Sequence, residues 1–103
     1  MPVIKKPQLD ITKNIRTIEW IKAEMIGSVS AVFKAMIKGS EEKIIEALST
    51  LIVMAYVLGR RLGISFAQMD VHIESKLKQG IEGEHEVEKW YGDFSALLQY
   101  KSK

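Results

Sequence analysis

The stretch ALSTLIVMAYVLG, residues 47–59, contains no charged side chain. Apolar residues recur at three- and four-residue steps through it and before it, which indicates an amphipathic helix. Thirteen consecutive uncharged residues predict a helix that is buried on most of its circumference, and therefore a packed bundle. The run is too short to cross a membrane, because a spanning helix needs about 20 apolar residues.

The same periodicity, extended in both directions, predicts an all-α fold. We expect a four-helix bundle with helices over about 11–38, 41–62, 65–79 and 84–100. Ser40 and Ser65 are candidate N-caps, and Gly39 and Gly63 are candidate helix stops. Residues 1–10 lack periodicity and are expected to form a flexible tail before a single helical domain at 11–103.

Composition limits the functional classes. With 103 residues, 47% of them hydrophobic, a monomer would bury only about two-thirds of its unfolded surface, so association would help it. The 15 basic and 13 acidic residues are interspersed, which argues against a nucleic-acid polymer as partner. The chain has no cysteine and shows no apolar signal segment after Met1. We expect a cytoplasmic homo-oligomer, a dimer or a tetramer, with no membrane partner.

The common catalytic motifs are missing from the sequence. It contains no glycine-rich phosphate loop, no Ser/His/Asp grouping and no zinc-type spacing. His72 and His85 lie on different predicted helices, each with carboxylates nearby in sequence. A two-histidine metal site is one hypothesis. The favoured interpretation is two partly exposed histidines that make ordinary hydrogen bonds.

Three segments resemble the MazG-like group of all-α nucleotide pyrophosphohydrolases. They are IKAEMIG at residues 21–27, GSEEKIIEALSTL at 39–51 and YVLGRRLGI at 56–64. In that family the first helix carries E-x-x-E and the second carries E-x-x-D, followed by a long apolar stretch and a Leu-Gly-Ile/Val exit. The resemblance implies a MazG-like bundle, association through the long helices, and a Mg²⁺-dependent cleavage of nucleoside triphosphates to monophosphate and pyrophosphate.

The family's four carboxylate positions fall on Glu24, Gly27, Ala47 and Thr50, so one of the four carboxylates remains. Magnesium prefers several hard oxygen ligands in octahedral geometry, and a lone carboxylate binds it too weakly to activate water. We therefore predict no catalytic residue and no cofactor. The predicted function is a self-associating nucleotide- or protein-binding module that has lost the family reaction, with Glu24 as a vestigial metal ligand.

The alternative is a nucleoside triphosphate pyrophosphohydrolase with a rearranged Mg²⁺ site, so enzymatic activity stays open. Glu42 and Glu46 lie four residues apart on one helix, and Glu19 and Glu24 lie on its neighbour, so three of these carboxylates could converge. The favoured interpretation is that Glu41, Glu42 and Glu46 are solvated charges near a helix start. Glu24 is expected to be half-buried, against Lys22 or a partner chain.

Residues 84–98 resemble the tail of short MazG-like proteins from Gram-positive bacteria, in which the metal-ligand motif is eroded. Trp90, Tyr91 and Phe94 there are candidates for an aromatic anchor that binds a partner. The alternative is that Trp90 and Phe94 close the core while Tyr91 faces solvent. Lys76 and Lys78 lie where the family presents basic groups to phosphates, so they are candidate nucleotide-binding residues or ordinary surface lysines.

Overall fold

The computed structural model describes residues 7–103, which are helical apart from short turns. The helices are α1 (Pro7–Lys38), α2 (Glu41–Arg61), α3 (Phe66–Glu82), α4 (Glu86–Tyr91) and α5 (Asp93–Lys101). This part of the chain contains no strand, so the prediction of an all-α fold is confirmed. No helix in residues 7–103 has a stretch long and apolar enough to cross a membrane.

The chain divides between Ile64 and Ser65 into two compact units. In the first unit, α1 and α2 pack against each other as a helical hairpin, and in the second, α5 packs against α3 and α4. The single domain at 11–103 stays a prediction. Helix α1 begins at Pro7, four residues before the predicted start, because proline suits the first turn of a helix. Residues 1–6 of the predicted tail lie outside the described residues.

The turn that creates the hairpin depends on local signals at Gly39 and Ser40. Gly39 has a φ of +69°, and the next backbone N–H, on Ser40, donates to the carbonyl of Ala35 at 3.1 Å. The Ser40 hydroxyl then accepts the backbone N–H of Lys43 at 3.4 Å, which caps α2. A helix stop and a helix start within two residues make α1 and α2 antiparallel neighbours.

The hairpin core is a narrow seam of small and aliphatic side chains. Ile21, Val32 and Ala35 of α1 and Ala47 of α2 are buried there. At the open end of the hairpin, the Asn14 amide donates to the carbonyl of Arg61 at 3.0 Å, which satisfies one of the free carbonyls in the last turn of α2. The seam and this bond together hold α1 and α2 along their common length.

The apolar run of α2 is less buried than its sequence predicts. Ala47 and Gly59 are its buried residues, whereas Leu48, Val53 and Ile52 are exposed, Ile52 by 59%. The prediction of a helix buried on most of its circumference is therefore wrong for the single chain. The physical reason is that α2 packs against α1 along one of its faces, which leaves apolar side chains on its other faces exposed.

Helix α3 starts as predicted and ends later. Its capping box is confirmed: the Ser65 hydroxyl accepts the Gln68 N–H at 3.0 Å, and the Ser65 N–H donates to the Gln68 side chain at 2.9 Å. The predicted end at residue 79 is wrong, because the helix continues through Gly80 to Glu82. The Phe94 ring of α5 packs directly on Gly80, where a Cβ would overlap the ring. This packing offsets the cost of a helical glycine, about 1 kcal/mol.

The predicted helix at 84–100 is divided into α4 and α5 at Gly92. Gly92 has a φ of +68° and donates its N–H to the carbonyl of Glu88 at 2.9 Å, which ends α4. The residues from 7 to 103 thus contain five helices where four were predicted. The left-handed backbone that glycine permits is the reason for the break.

Candidate functional site

A groove with a volume of about 470 Å³ runs between α1 and α2. Its lining includes five residues with little or no side chain, which keep the two helices from filling the space: Gly27, Ser28, Ala31, Ala35 and Ala47. Ala35 and Ala47 are buried at its base, and Ser28 is buried although it is polar. The volume lies within the range of small-molecule sites, roughly 300–1,000 Å³.

All four positions that the resemblance assigns to carboxylates line this groove. Glu24 and Gly27 line it from α1, and Ala47 and Thr50 line it from α2. Glu24 is half-buried, as expected. The juxtaposition follows from helix geometry, since residues three apart share one face of each helix and the hairpin turns the two faces toward each other.

The donor atoms at these positions do not fit the family's magnesium site. Gly27 and Ala47 supply no ligand, and the Thr50 hydroxyl is neutral and donates to the carbonyl of Glu46 at 3.0 Å. Among the side chains of residues 11–103, no group of three from His, Cys, Asp or Glu is arranged to hold a metal ion. Because magnesium requires near-octahedral oxygen coordination, Glu24 alone among the four positions cannot provide the family's ligand set.

The carboxylates of the rearranged site are only partly brought together. Glu46 lines the same groove as Glu24, but Glu19 and Glu42 do not line it. Glu19 instead pairs with Lys22 at 2.6 Å, on the surface of α1. The hypothesis that Lys22 faces Glu24 is therefore wrong.

Three lysines that sequence reasoning missed also line the groove. Lys34 and Lys38 lie one helical turn apart on α1, and Lys43 lies in the first turns of α2. None of them forms an ion pair with a side chain of residues 11–103. With three lysines against two glutamates, the groove has a positive formal charge of one. The sequence does contain a signal for this cluster. Lys34 and Lys38 are four residues apart beside alanines, and Lys43 follows the turn.

The model of the MazG-like family matches residues 11–94. The chain belongs to the MazG-like family. The matched region includes α2, α3 and α4 entirely and α1 from Ile11 onward, and therefore Glu24, Gly27, Ala47 and Thr50 of the groove. It indicates a helical fold of the nucleotide pyrophosphohydrolase type. Comparisons with curated proteins and with solved structures gave no match.

In this MazG-like chain, the two predicted phosphate-binding lysines of α3 lie in different surroundings. Lys78 pairs with Glu74 at 3.5 Å on the helix surface. Lys76 lines a second groove of about 450 Å³ within the second unit, together with His85 and Phe94. The structure therefore does not bring Lys76 and Lys78 together on one site.

The predicted aromatic anchor is divided between surface and interior. Trp90 and Tyr91 are 69% and 72% exposed, with their ring centroids 6.4 Å apart in an edge-on arrangement. Phe94 is half-buried against Gly80 and lies 5.3 Å from the His85 ring. Within the chain, then, Phe94 closes the core of the second unit and Trp90 does not.

Of the two histidines, His85 makes an ordinary hydrogen bond and His72 lies on the surface. His85 Nδ1 accepts the backbone N–H of Val87 at 3.1 Å and so caps α4. His72 is exposed on α3. Neither belongs to a group of three potential metal ligands among the side chains of residues 11–103.

Hydrogen bonds to Ser95 change the titration of the Glu88 carboxyl group. Its carboxylate accepts the Ser95 hydroxyl and, at 3.0 Å, the Ser95 backbone N–H in the first turn of α5. These bonds favour the charged form and lower the pKa of Glu88 below its ordinary value. Since Gly92 offers no side chain to cap α5, Glu88 takes that role from the preceding helix.

Proposed function

We propose that this MazG-like protein has lost metal-dependent nucleotide pyrophosphohydrolysis and acts as a self-associating module that binds a nucleotide in the α1–α2 groove. The observation that supports the proposal is the groove lining: Gly27, Ala47 and Thr50 lie there, at positions that the resemblance assigns to carboxylates. A binding role needs the groove, which is retained. Cleavage of a triphosphate would need the metal ligands, most of which are missing.

The loss follows from the chemistry of phosphoryl transfer. Such reactions depend on positioning and on neutralising the charge that develops on the phosphate oxygens, which divalent metals do most effectively. Replacing three carboxylates by a hydrogen, a methyl group and a neutral hydroxyl removes most of the charge that attracts the metal. The groove then attracts anions directly, because its lysines outnumber its glutamates.

One observation favours the alternative, a pyrophosphohydrolase with a rearranged metal site. Glu24 and Glu46 line the same groove. Magnesium is often held by one or two carboxylates together with substrate phosphates. Under this alternative, both glutamates would hold the metal only when a nucleotide is bound.

Self-association is supported by an apolar stripe along the hairpin. It comprises large side chains that are between 39% and 87% exposed: Ile11, Ile15, Ile26, Val29, Phe33, Met36, Ile37, Ile45, Leu48 and Ile52. At 100° per residue, the members on α1 and those on α2 fall on one side of the hairpin, opposite the groove. The stripe therefore leaves the nucleotide groove free.

The size of the stripe suits a second copy of this chain. A fully exposed aliphatic side chain presents roughly 100 Å² of apolar surface, so the stripe exposes on the order of 600 Å². Monomers rarely expose larger patches, and a standard interface takes about 800 Å² from each partner. Two hairpins packed stripe to stripe would form a four-helix arrangement with two-fold symmetry.

The decisive experiment measures pyrophosphate release from the common nucleoside triphosphates with Mg²⁺ or Mn²⁺ present. The proposal expects no release above the blank for the parent protein. Release that is abolished by Glu24→Gln or by Glu46→Gln would establish the rearranged metal site instead. Thr17→Ala, on α1 but away from the groove lining, is the control for loss through poor folding.

A further inference from the structure

The second groove, to which Lys76, His85 and Phe94 contribute, lies entirely within the unit of residues 65–103. Its volume of about 450 Å³ is within the range of small-molecule sites, roughly 300–1,000 Å³. No residue of the α1–α2 groove lines it. The second groove is therefore a separate candidate site, which the proposed function does not use.

Two glycines and two apolar side chains shape the second groove. Gly80 of α3 and Gly83, the residue after α3, have no side chain that could fill it. The Phe94 ring packs directly on Gly80, and Leu77, which also lines the groove, is buried. Small-molecule sites are mostly apolar with a few polar groups, so this surface suits an aromatic ring or a short alkyl chain.

Lys76 and His85 supply hydrogen-bond donors to the same groove. Lys76 lies one helical turn before Gly80, on the same face of α3. The His85 ring centroid is 5.3 Å from that of Phe94. Because His85 Nδ1 accepts the backbone N–H of Val87 at 3.1 Å, the neutral imidazole has its proton on Nε2, which is then a donor.

The charge of the second groove suits a ligand with one negative charge. Lys76 is exposed and forms no ion pair with a side chain of residues 11–103. None of the acidic residues of the second unit lines the groove. The two oxygens of one carboxylate match one ammonium group and one N–H donor, whereas a chain of phosphates would leave most of its charge unpaired there.

We propose that the second groove binds a small monocarboxylic acid with an aromatic or short alkyl body. The carboxylate lies on Lys76 and His85, and the body lies against Phe94 and Leu77. This binding is independent of the proposed function, because the two grooves share no residue.

The test is an NMR titration of the full chain with phenylacetate, which has one carboxylate and one aromatic ring. The backbone amides of Gly80 and Gly83 report on the groove. We expect saturable shifts of both signals with phenylacetate. We expect at least tenfold weaker binding of phenylacetamide, the uncharged analogue, and of inorganic phosphate, which lacks the apolar body.

Two variants test the donors. Lys76→Gln should weaken phenylacetate binding by about tenfold, as expected for a lost charge-assisted hydrogen bond. His85→Asn removes the imidazole and keeps a residue that caps helices well, so it should weaken binding while α4 is retained. Lys78→Gln is the matched control, because Lys78 is exposed on the same helix, outside the groove.

Absence of saturable shifts at Gly80 and Gly83 would overturn the proposal. Equal affinity for phenylacetamide would also overturn it, because the charge would then have no role, and that comparison does not depend on the folding of any variant. Inorganic phosphate that binds as tightly as phenylacetate would show a general anion site instead. Equal weakening by Lys78→Gln, or unchanged affinity in both Lys76→Gln and His85→Asn, would likewise contradict it.

Discussion

Gly27 of α1 and Thr50 of α2 line the same groove from opposite helices, at two of the positions that the resemblance to the MazG-like family assigns to metal-binding carboxylates. Gly27 has open space around its missing Cβ, and Thr50 directs its hydroxyl to the carbonyl of Glu46. The groove is therefore present without carboxylates at these two positions. The proposed loss of function can be tested by restoring them.

Restoring the carboxylates should restore metal binding. The triple variant Gly27→Glu, Ala47→Glu and Thr50→Asp, with native Glu24, places four carboxylates on one groove. Without metal it should be less stable than the parent, because like charges repel and Ala47 is buried. At a Mg²⁺ concentration 100 times the dissociation constant, the metal should raise the free energy of unfolding by about 2.7 kcal/mol, measured by urea unfolding.

The control for this variant is Gly27→Gln, Ala47→Gln and Thr50→Asn, which has side chains of the same size without the charge. Both it and the parent should respond little to Mg²⁺. If the carboxylate variant is equally insensitive, the assignment of Glu24, Gly27, Ala47 and Thr50 to the family's ligand positions is wrong.

The apolar stripe should control self-association. Phe33→Glu places a charge at an exposed position of α1 that is opposite the groove, and should shift the protein to a monomer because burying an unpaired carboxylate is costly. Light scattering at micromolar concentration measures the change. Lys34→Glu, at the next residue but outside the stripe, is the control and should leave the assembly intact. A parent that is already monomeric would disprove the proposed association.

Gly80 should be intolerant of alanine. Gly80→Ala raises helix propensity by about 1 kcal/mol, but its Cβ would overlap the Phe94 ring, and overpacking costs typically 1–3 kcal/mol. We expect the free energy of unfolding, measured by chemical denaturation, to fall by about 1 kcal/mol. Gly27→Ala, where the added Cβ meets nothing, should stabilise by about the same amount. In a Phe94→Ala background, Gly80→Ala should no longer destabilise, and persistence of the loss would exclude the ring as its cause.

The hydrogen bonds between Glu88 and Ser95 should change the pKa of Glu88 measured in an acid titration. Ser95 lowers the pKa of Glu88, so their hydrogen bonds stabilise the fold when Glu88 is charged. This stabilisation is fully present above the ordinary glutamate pKa of about 4.3, and it is lost as the pH falls through the lower pKa of the folded state. Ser95→Ala should raise the pKa of Glu88, measured by NMR of its side-chain carboxyl carbon. Ser102→Ala is the control, since its hydroxyl bonds to the Leu98 carbonyl. An unchanged pKa in Ser95→Ala would contradict the assignment.

Much of the local structure follows from the sequence because its causes are local. Ser40 and Ser65 cap the helices that they were predicted to cap, and the turn at Gly39 joins α1 to α2 as expected. These features depend on hydrogen bonds within five residues, so short stretches of sequence contain the information. The all-α content and the resemblance to the MazG-like family rest on the same periodic patterns.

The tertiary structure decided which faces meet. The uncharged run at 47–59 has apolar residues on every side, so periodicity could not select the face of α2 that packs on α1 and the face that stays exposed. The same choice of faces brings Lys34, Lys38 and Lys43 to the groove. Likewise, α3 continues through Gly80 because the Phe94 ring from α5 packs there. Such contacts join residues far apart in sequence, and packing between helices, not local propensity, determines them.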